Sequence, residues 1–276
     1  MSVPLSAFGL PSDVLLWQAL LLTALSYAVG VLGGFVGLAL GTVRLPAMLL
    51  LGMPVVTAGG TNIVVSTLSA VAGSLRHTRE GRVDRHLVLW MGVPSVAGAA
   101  LGGALARIAN EGLLLALVGA FVLAQAAEFA RRARRGEERR SVTGPLGGPR
   151  ALLEAAIGFA IGAVAGAVGL ILGSIRLPAL VNVLGIEPRV AAGTNLFIGI
   201  LTGVAGWVGH VAIGAVDYPL LVLLGASAVV GQLQGARWTG RARASVLLTT
   251  MALVLAVVGV LLLRDGVARL LGGVVG

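Results

Sequence analysis

The sequence contains no cysteine, which removes disulfides, thiol catalysis and thiolate metal sites at once. It also contains no lysine, so all 20 basic residues are arginine. Charged residues make up 11% of the chain and aromatics 4%, against 57% hydrophobic. That composition cannot clothe a water-soluble globule, and it marks a membrane protein. A fourth scarcity concerns position. Between Val14 and Ala130, and again between Ala155 and Leu263, no Asp or Glu falls clearly mid-span, so the proton- or sodium-binding carboxylate of many pumps is missing. Nucleophile–base pairs, a Walker loop and a metal-ligand cluster are likewise lacking, which speaks against an enzyme and calls for no cofactor.

A net charge of +9 would suggest nucleic acid in a soluble protein, but here the arginines gather in short connections between apolar runs. That is the pattern of cytoplasmic membrane loops, and it excludes a nucleic-acid partner in favour of a lipid bilayer. The first residues, MSVPLSAFGLPSD, carry no basic stretch before the apolar run, so no cleaved leader is expected.

The chain repeats itself. Gly37, Leu38, Gly41, Arg44, Leu45, Pro46 and Ala47 match Gly169, Leu170, Gly173, Arg176, Leu177, Pro178 and Ala179; one inserted residue later, Gly60, Thr61 and Asn62 match Gly193, Thr194 and Asn195. Gly30 and Gly34 answer to Gly162 and Gly166, and His77, Gly81 and Asp84 to His210, Gly214 and Asp217. Such agreement at one offset means a duplicated unit. A bilayer needs about 20 apolar residues per helix, and on that basis each repeat holds four spans. Residues 1–130 form the first repeat and 151–276 the second, with 131–150 as a solvated, Arg-rich cytoplasmic linker. The expected fold is all-α and polytopic, with about eight transmembrane helices and broken or re-entrant segments at Gly37–Pro46 and Gly169–Pro178.

Eight spans in two fours make the repeats parallel and put both termini inside. Arg237, Arg241 and Arg243 resist this count, because it places their loop outside. If the Gly-Arg-Pro stretch crosses the membrane, the parity changes and the halves become inverted.

Pro46 and Pro178 are expected to force the helix breaks, which leave backbone groups that protein, water or ligand must satisfy. Paired interrupted segments in two halves point to a transporter's central site between the repeats. There Arg44 and Arg176 offer forked donors for an oxyanion, although an arginine at a helix end can also snorkel to the headgroups. Gly41 and Gly173 stand where the helix must break. Thr61–Asn62 and Thr194–Asn195 are good N-caps, and helices beginning there would aim free N–H groups at an anion; buried polar side chains also bond between helices without any ligand. His77 and His210 could couple a proton or merely cap helix ends. The Gly ladders, and the faces Gly98/Gly102 and Gly231/Gly235, suit close helix packing, within the chain or in a homodimer.

A glycine-rich segment running into an aliphatic stretch and Pro-x-Leu, then Ala-x-Gly-Thr, all duplicated, resembles the TauE/SafE family of sulfite and organosulfonate exporters. The pieces read GLALGTVRLPAML with AGGTN and GLILGSIRLPALV with AAGTN, and the resemblance covers roughly residues 14–263. It implies an eight-span bacterial inner-membrane transporter for sulfite, thiosulfate, sulfoacetate or taurine-derived sulfonates. Two departures stand out: Ala39-Leu40-Gly41 and Ile171-Leu172-Gly173 replace the usual triple glycine, and Arg44 and Arg176 replace aliphatic residues. With the cell interior negative, moving one anionic charge outward gains about 2.3 kcal/mol per 100 mV, so export needs no coupling ion. The expected activity is export of a small sulfur-containing anion. The alternatives are a proton-coupled anion importer, or a non-transporting assembly or partner-binding membrane protein.

Overall fold

Long runs of Ala, Leu, Val and Gly in a bilayer must pair every backbone N–H and C=O internally, and this chain does so as helices. The structure is a computed structural model and describes residues 3–36, 39–79, 81–106, 108–135, 149–180, 184–186, 188–212, 214–237 and 244–272. The first half comprises α1 (Leu16–Val36), the short α2 (Gly41–Leu50), α3 (Val55–Arg79), α4 (Arg85–Leu105, with a π turn at Val88–Gly92) and α5 (Glu111–Arg135). The second half comprises α6 (Pro149–Val168), the short α7 (Gly173–Pro178), α8 (Pro188–Ala212), α9 (Tyr218–Arg237) and α10 (Ala244–Gly272). Seven of the described helices are long and apolar enough to cross a membrane. The eighth long helix, α10, has no charged residue from Ala244 to Leu263. Residues 131–135 and 149–150 of the expected linker belong to α5 and α6, while 136–148 lie outside the described residues.

Small residues set which helices touch. α1 packs on α9, and α4 on α6, so each half lends its first long helix to the other half's third. A Cβ on Gly30 would collide with the Ala228 carbonyl, and one on Gly162 with that of Ser95; Gly98, Gly102, Gly231 and Gly235 press equally on backbone of the facing helix. The glycine faces raised for a homodimer are therefore taken up inside the chain. The two halves interlock rather than forming separate lobes.

The contacts also fix directions. Met91, Ser95 and Ala99 of α4 meet Gly158, Gly162 and Gly166 of α6 in rising order, so these helices are parallel. Along α3 and α8 the order reverses: Ile63 meets Gly206, Thr67 meets Gly203 and Gly73 faces Leu196. α5 and α10 reverse too, Gly112 lying by Gly266 and Leu123 by Gly259. Equivalent helices of the two halves thus run antiparallel, and the repeats are inverted, which overturns the parallel arrangement expected from the count of spans.

The cause lies in residues 37–50. α1 and α3 both run parallel to α9, Gly30 facing Gln232 and Gly73 facing it from α3. For two consecutive long helices to point the same way, the chain between them must come back. It does: Gln18, near the start of α1, donates through Nε2 to the carbonyl of Leu51 at the end of α2, 3.0 Å away. The end of α5 and the start of α6 therefore lie at the end of the bundle opposite both the start of α1 and the end of α10. The end of α9, with Arg237, and the start of α10 fall at that same end. Residues 238–243, with Trp238, Arg241 and Arg243, lie outside the described residues. The opposite end carries Arg264 and Arg269, and the anomaly raised by Arg237 disappears.

Candidate functional site

The helix breaks fall earlier than the prolines. α1 stops at Val36 and α2 starts at Gly41, with Pro46 inside it; α6 stops at Val168 and α7 starts at Gly173, ending at Pro178. The expectation that proline forces the break is corrected. Proline removes one hydrogen bond of a short buried helix, whereas the glycines permit what the break requires. Gly169 takes φ 71°, a left-handed value, and its Cα lies so close to Gly59 that no Cβ fits. Gly41 and Gly173 let the short helices lie against α3 and α8: a Cβ on Gly41 would strike Ser66 Oγ, and one on Gly173 would sit 2.9 Å from Asn195 Nδ2.

Each short helix carries its arginine inward. Arg44 is 1% exposed. Its Nε donates to Ser26 Oγ (3.0 Å), and its Nη1 to Asn62 Oδ1 (3.2 Å) and Ser66 Oγ (3.4 Å). Ser26 Oγ in turn donates to the Leu224 carbonyl (2.8 Å), and Asn62 Nδ2 to the Gly169 carbonyl (2.8 Å). Arg44 is thus built into a network that ties α1, α2 and α3 to the second half.

Arg176 is 0% exposed, yet Nε, Nη1 and Nη2 have no hydrogen-bond partner among the described residues, and neither has Oδ1 of Asn195, the residue against which Gly173 packs. A guanidinium carries five N–H donors and keeps its charge. Burying it unpaired costs several kcal/mol. A group of this kind calls for acceptors that the described residues do not supply.

The structure brings Arg44, Gly41 and Asn62 together, and Gly173 and Asn195 together with Arg176 three residues further along the same short helix, but it does not merge the two groups. Ile63 lies level with Gly206 and Gly73 with Leu196, so the levels of Asn62 and Asn195 differ by about three helical turns, roughly 15 Å. The Arg44 group lies toward the end holding the termini and the Arg176 group toward the Arg-rich end.

The threonines have another occupation. Thr61 and Thr194 stand inside α3 and α8, not at helix starts, so the expected N-terminal N–H groups are absent there; the helices begin six residues earlier, at Val55 and Pro188. Thr61 Oγ1 accepts from the backbone N–H of Asp217 (3.0 Å), and Thr194 Oγ1 from that of Asp84 (2.8 Å). Asp84 Oδ1 accepts from the N–H groups of His86 and Leu87, and Asp217 Oδ1 from that of Leu220. Each threonine therefore holds the capped start of a helix in the other half.

His210 is buried with both ring nitrogens unpartnered among the described residues. It sits near the end of α8 beside Gly60, whereas His77 sits near the end of α3 at the far side of the bundle; the His77 side chain lies outside the described residues. The two histidines are not neighbours.

Three residues escaped the sequence reading. Ser26 and Ser66 gave no signal, because serine in an apolar helix is common. Gln232 is 1% exposed with both amide atoms unpartnered among the described residues, and it faces Gly73 at the level of Asn195. Its equivalent in the first half is Ala99, a contrast that aligning the repeats would have exposed.

A family model described as Sulfite exporter TauE/SafE matches residues 22–262. The Bacillus subtilis (strain 168) protein named Probable membrane transporter protein YdhB is 27% identical over 247 residues, covering 88% of this chain and 100% of that one. Probable membrane transporter protein YunE, from the same strain, is 23% identical over 267 residues, covering 90% and 98%. Probable membrane transporter protein ORF9 of Sinorhizobium sp. is 26% identical over 226 residues, covering 82% and 85%. No solved structure matches the chain.

Proposed function

The chain belongs to the TauE/SafE family, a multi-pass membrane transporter and not an enzyme, and from that premise we propose that it exports a small sulfur-containing oxyanion, sulfite or an organosulfonate. The observation that carries this reading is Arg176, buried without a hydrogen-bond partner among the described residues, on the short helix whose Gly173 lies against Asn195. Direction follows from where that residue sits. The Arg-rich connections gather at one end of the bundle, and basic connections stay in the cytoplasm, so the Arg176 level is the one nearer the cytoplasm. An anion entering there meets a fixed positive charge first, and the membrane potential drives it outward.

Everted membrane vesicles, which expose the cytoplasmic face, test this reading. With the lumen positive, ³⁵S-sulfite uptake should exceed that of vesicles lacking the protein, with sulfoacetate and taurine competing. Uptake of every sulfur anion equal to the control would overturn it.

Proton-coupled import rests on a different pair from the one singled out in the sequence. His86 Nε2 lies 3.5 Å from Glu154 Oε2, and Glu154 is fully buried in α6. On that reading a pH gradient of one unit moves sulfite with no electrical potential applied, and export predicts no movement.

A further inference from the structure

The two repeats can be compared position by position around their arginines. Arg44 lies 132 residues before Arg176, and Asn62 lies 133 before Asn195. By the first offset Ser26 corresponds to Gly158, and by the second Ser66 corresponds to Gly199. Ser26 and Ser66 supply two of the three acceptors that hold Arg44. Both are glycine around Arg176.

The first of these glycines has a packing reason: a Cβ on Gly158 would collide with the Met91 carbonyl. At the second the backbone is clear: a Cβ on Gly199 would meet only the Ile171 side chain, Cγ2 at 3.1 Å, which must give by a few tenths of an ångström to admit a serine. The third acceptor, the asparagine, is retained in both halves. Its Oδ1 receives Arg44 in the first half and has no partner in the second among the described residues.

We infer that the arginines have divided their labour: Arg176 with Asn195 forms the single anion-binding site of each chain, and Arg44 is a structural latch whose Nε and Nη1 donate to Ser26, Asn62 and Ser66. This inference rests on the export reading and assigns its charge to one residue of the two. It also narrows the ligand. One guanidinium offers one positive charge, and Asn195 Oδ1 is an acceptor that needs a donor. The pair fits a singly charged oxyanion with its own O–H or N–H, hydrogensulfite or an aminosulfonate, in preference to the sulfate dianion.

Titration calorimetry of the purified full chain in detergent with sodium sulfite, sodium sulfate and taurine at pH 6.5 provides the test. The wild type should bind one sulfite per chain, more tightly than sulfate. Arg176→Leu should weaken sulfite by roughly 30-fold or more, the loss of a buried charge partner, while Arg44→Leu should hold affinity within about threefold, less than one hydrogen bond's worth. Gly199→Ser restores the absent hydroxyl and should weaken sulfite by about tenfold. Ser26→Gly/Ser66→Gly frees Arg44 and should raise the stoichiometry to two. If Arg44→Leu fails to fold, the last two variants decide alone. Binding that survives Arg176→Leu and is lost without Arg44, or a Gly199→Ser protein of wild-type affinity, overturns the division and leaves the export reading intact. No heat from any of the anions, in wild type or in the serine double variant, overturns the export reading itself.

Discussion

Two pairs of equivalent places in this molecule have had different histories. At the junctions, Thr61 holds the Asp217 N–H and Thr194 holds the Asp84 N–H, at 3.0 and 2.8 Å, each bond joining one half to the other. At the helix breaks, Arg44 has three acceptors and Arg176 has none among the described residues. Symmetry is retained where it closes the fold and lost where a charge is left over. The difference teaches that a duplicated residue need not have a duplicated role. A group buried with acceptors in place stiffens the protein, while the same group buried without them is a demand for a ligand.

The comparison is most sharply tested by stability without any anion. Arg176→Leu should leave the melting temperature unchanged or raise it, by up to about 3 kcal/mol in stability, because replacing an unpaired buried charge with an apolar side chain relieves its desolvation. Arg44→Leu should lower stability by about 1–3 kcal/mol, since Asn62 and Ser66 lose their donor. Melting curves in detergent give the two signs directly, and two losses of equal size would remove the contrast.

The junctions should answer alike. Thr61→Val and Thr194→Val each leave one backbone N–H unpaired, buried at Asp217 and part-buried at Asp84, at a cost of up to about 1–3 kcal/mol, and hydrogen exchange at Asp217 and Asp84 should quicken in the corresponding variant. A large effect from one and none from the other would show that the junctions have diverged as well.

The smallest effect belongs to a contact outside the comparison. Arg269 Nη1 meets Glu111 Oε2 at 2.9 Å, with both side chains about half exposed. Arg269→Ala should change stability by no more than about 1 kcal/mol. That variant sets the baseline against which the buried arginines are read.

Much of this was legible in the chain itself. The four long spans expected in each repeat appear as helices, α3 and α9 among them, because a continuous apolar run in a bilayer pairs its own backbone groups only as a helix. Arg44, Arg176, Asn62 and Asn195 stood out because polar groups in such runs are costly and these recur. Thr61 and Thr194 stood out for the same reason, but their bonds reach across to residues 156 and 110 positions away, which no local pattern announces. The return of the chain through α2 was illegible for a related reason. Ten residues are too few to count as a span, yet they reverse the parity of everything after them.

The sequence by itself determined that this is a duplicated, all-helical membrane protein of the TauE/SafE type with two arginines at its helix breaks. Composition allows nothing else in a bilayer, and the repeat is written residue by residue. Only the tertiary structure decided that the halves are inverted and interlocked, that the arginines lie about three turns apart, and that one is satisfied while the other is not. Those outcomes depend on which side chains from distant stretches come within hydrogen-bonding reach, and that is settled when the helices pack.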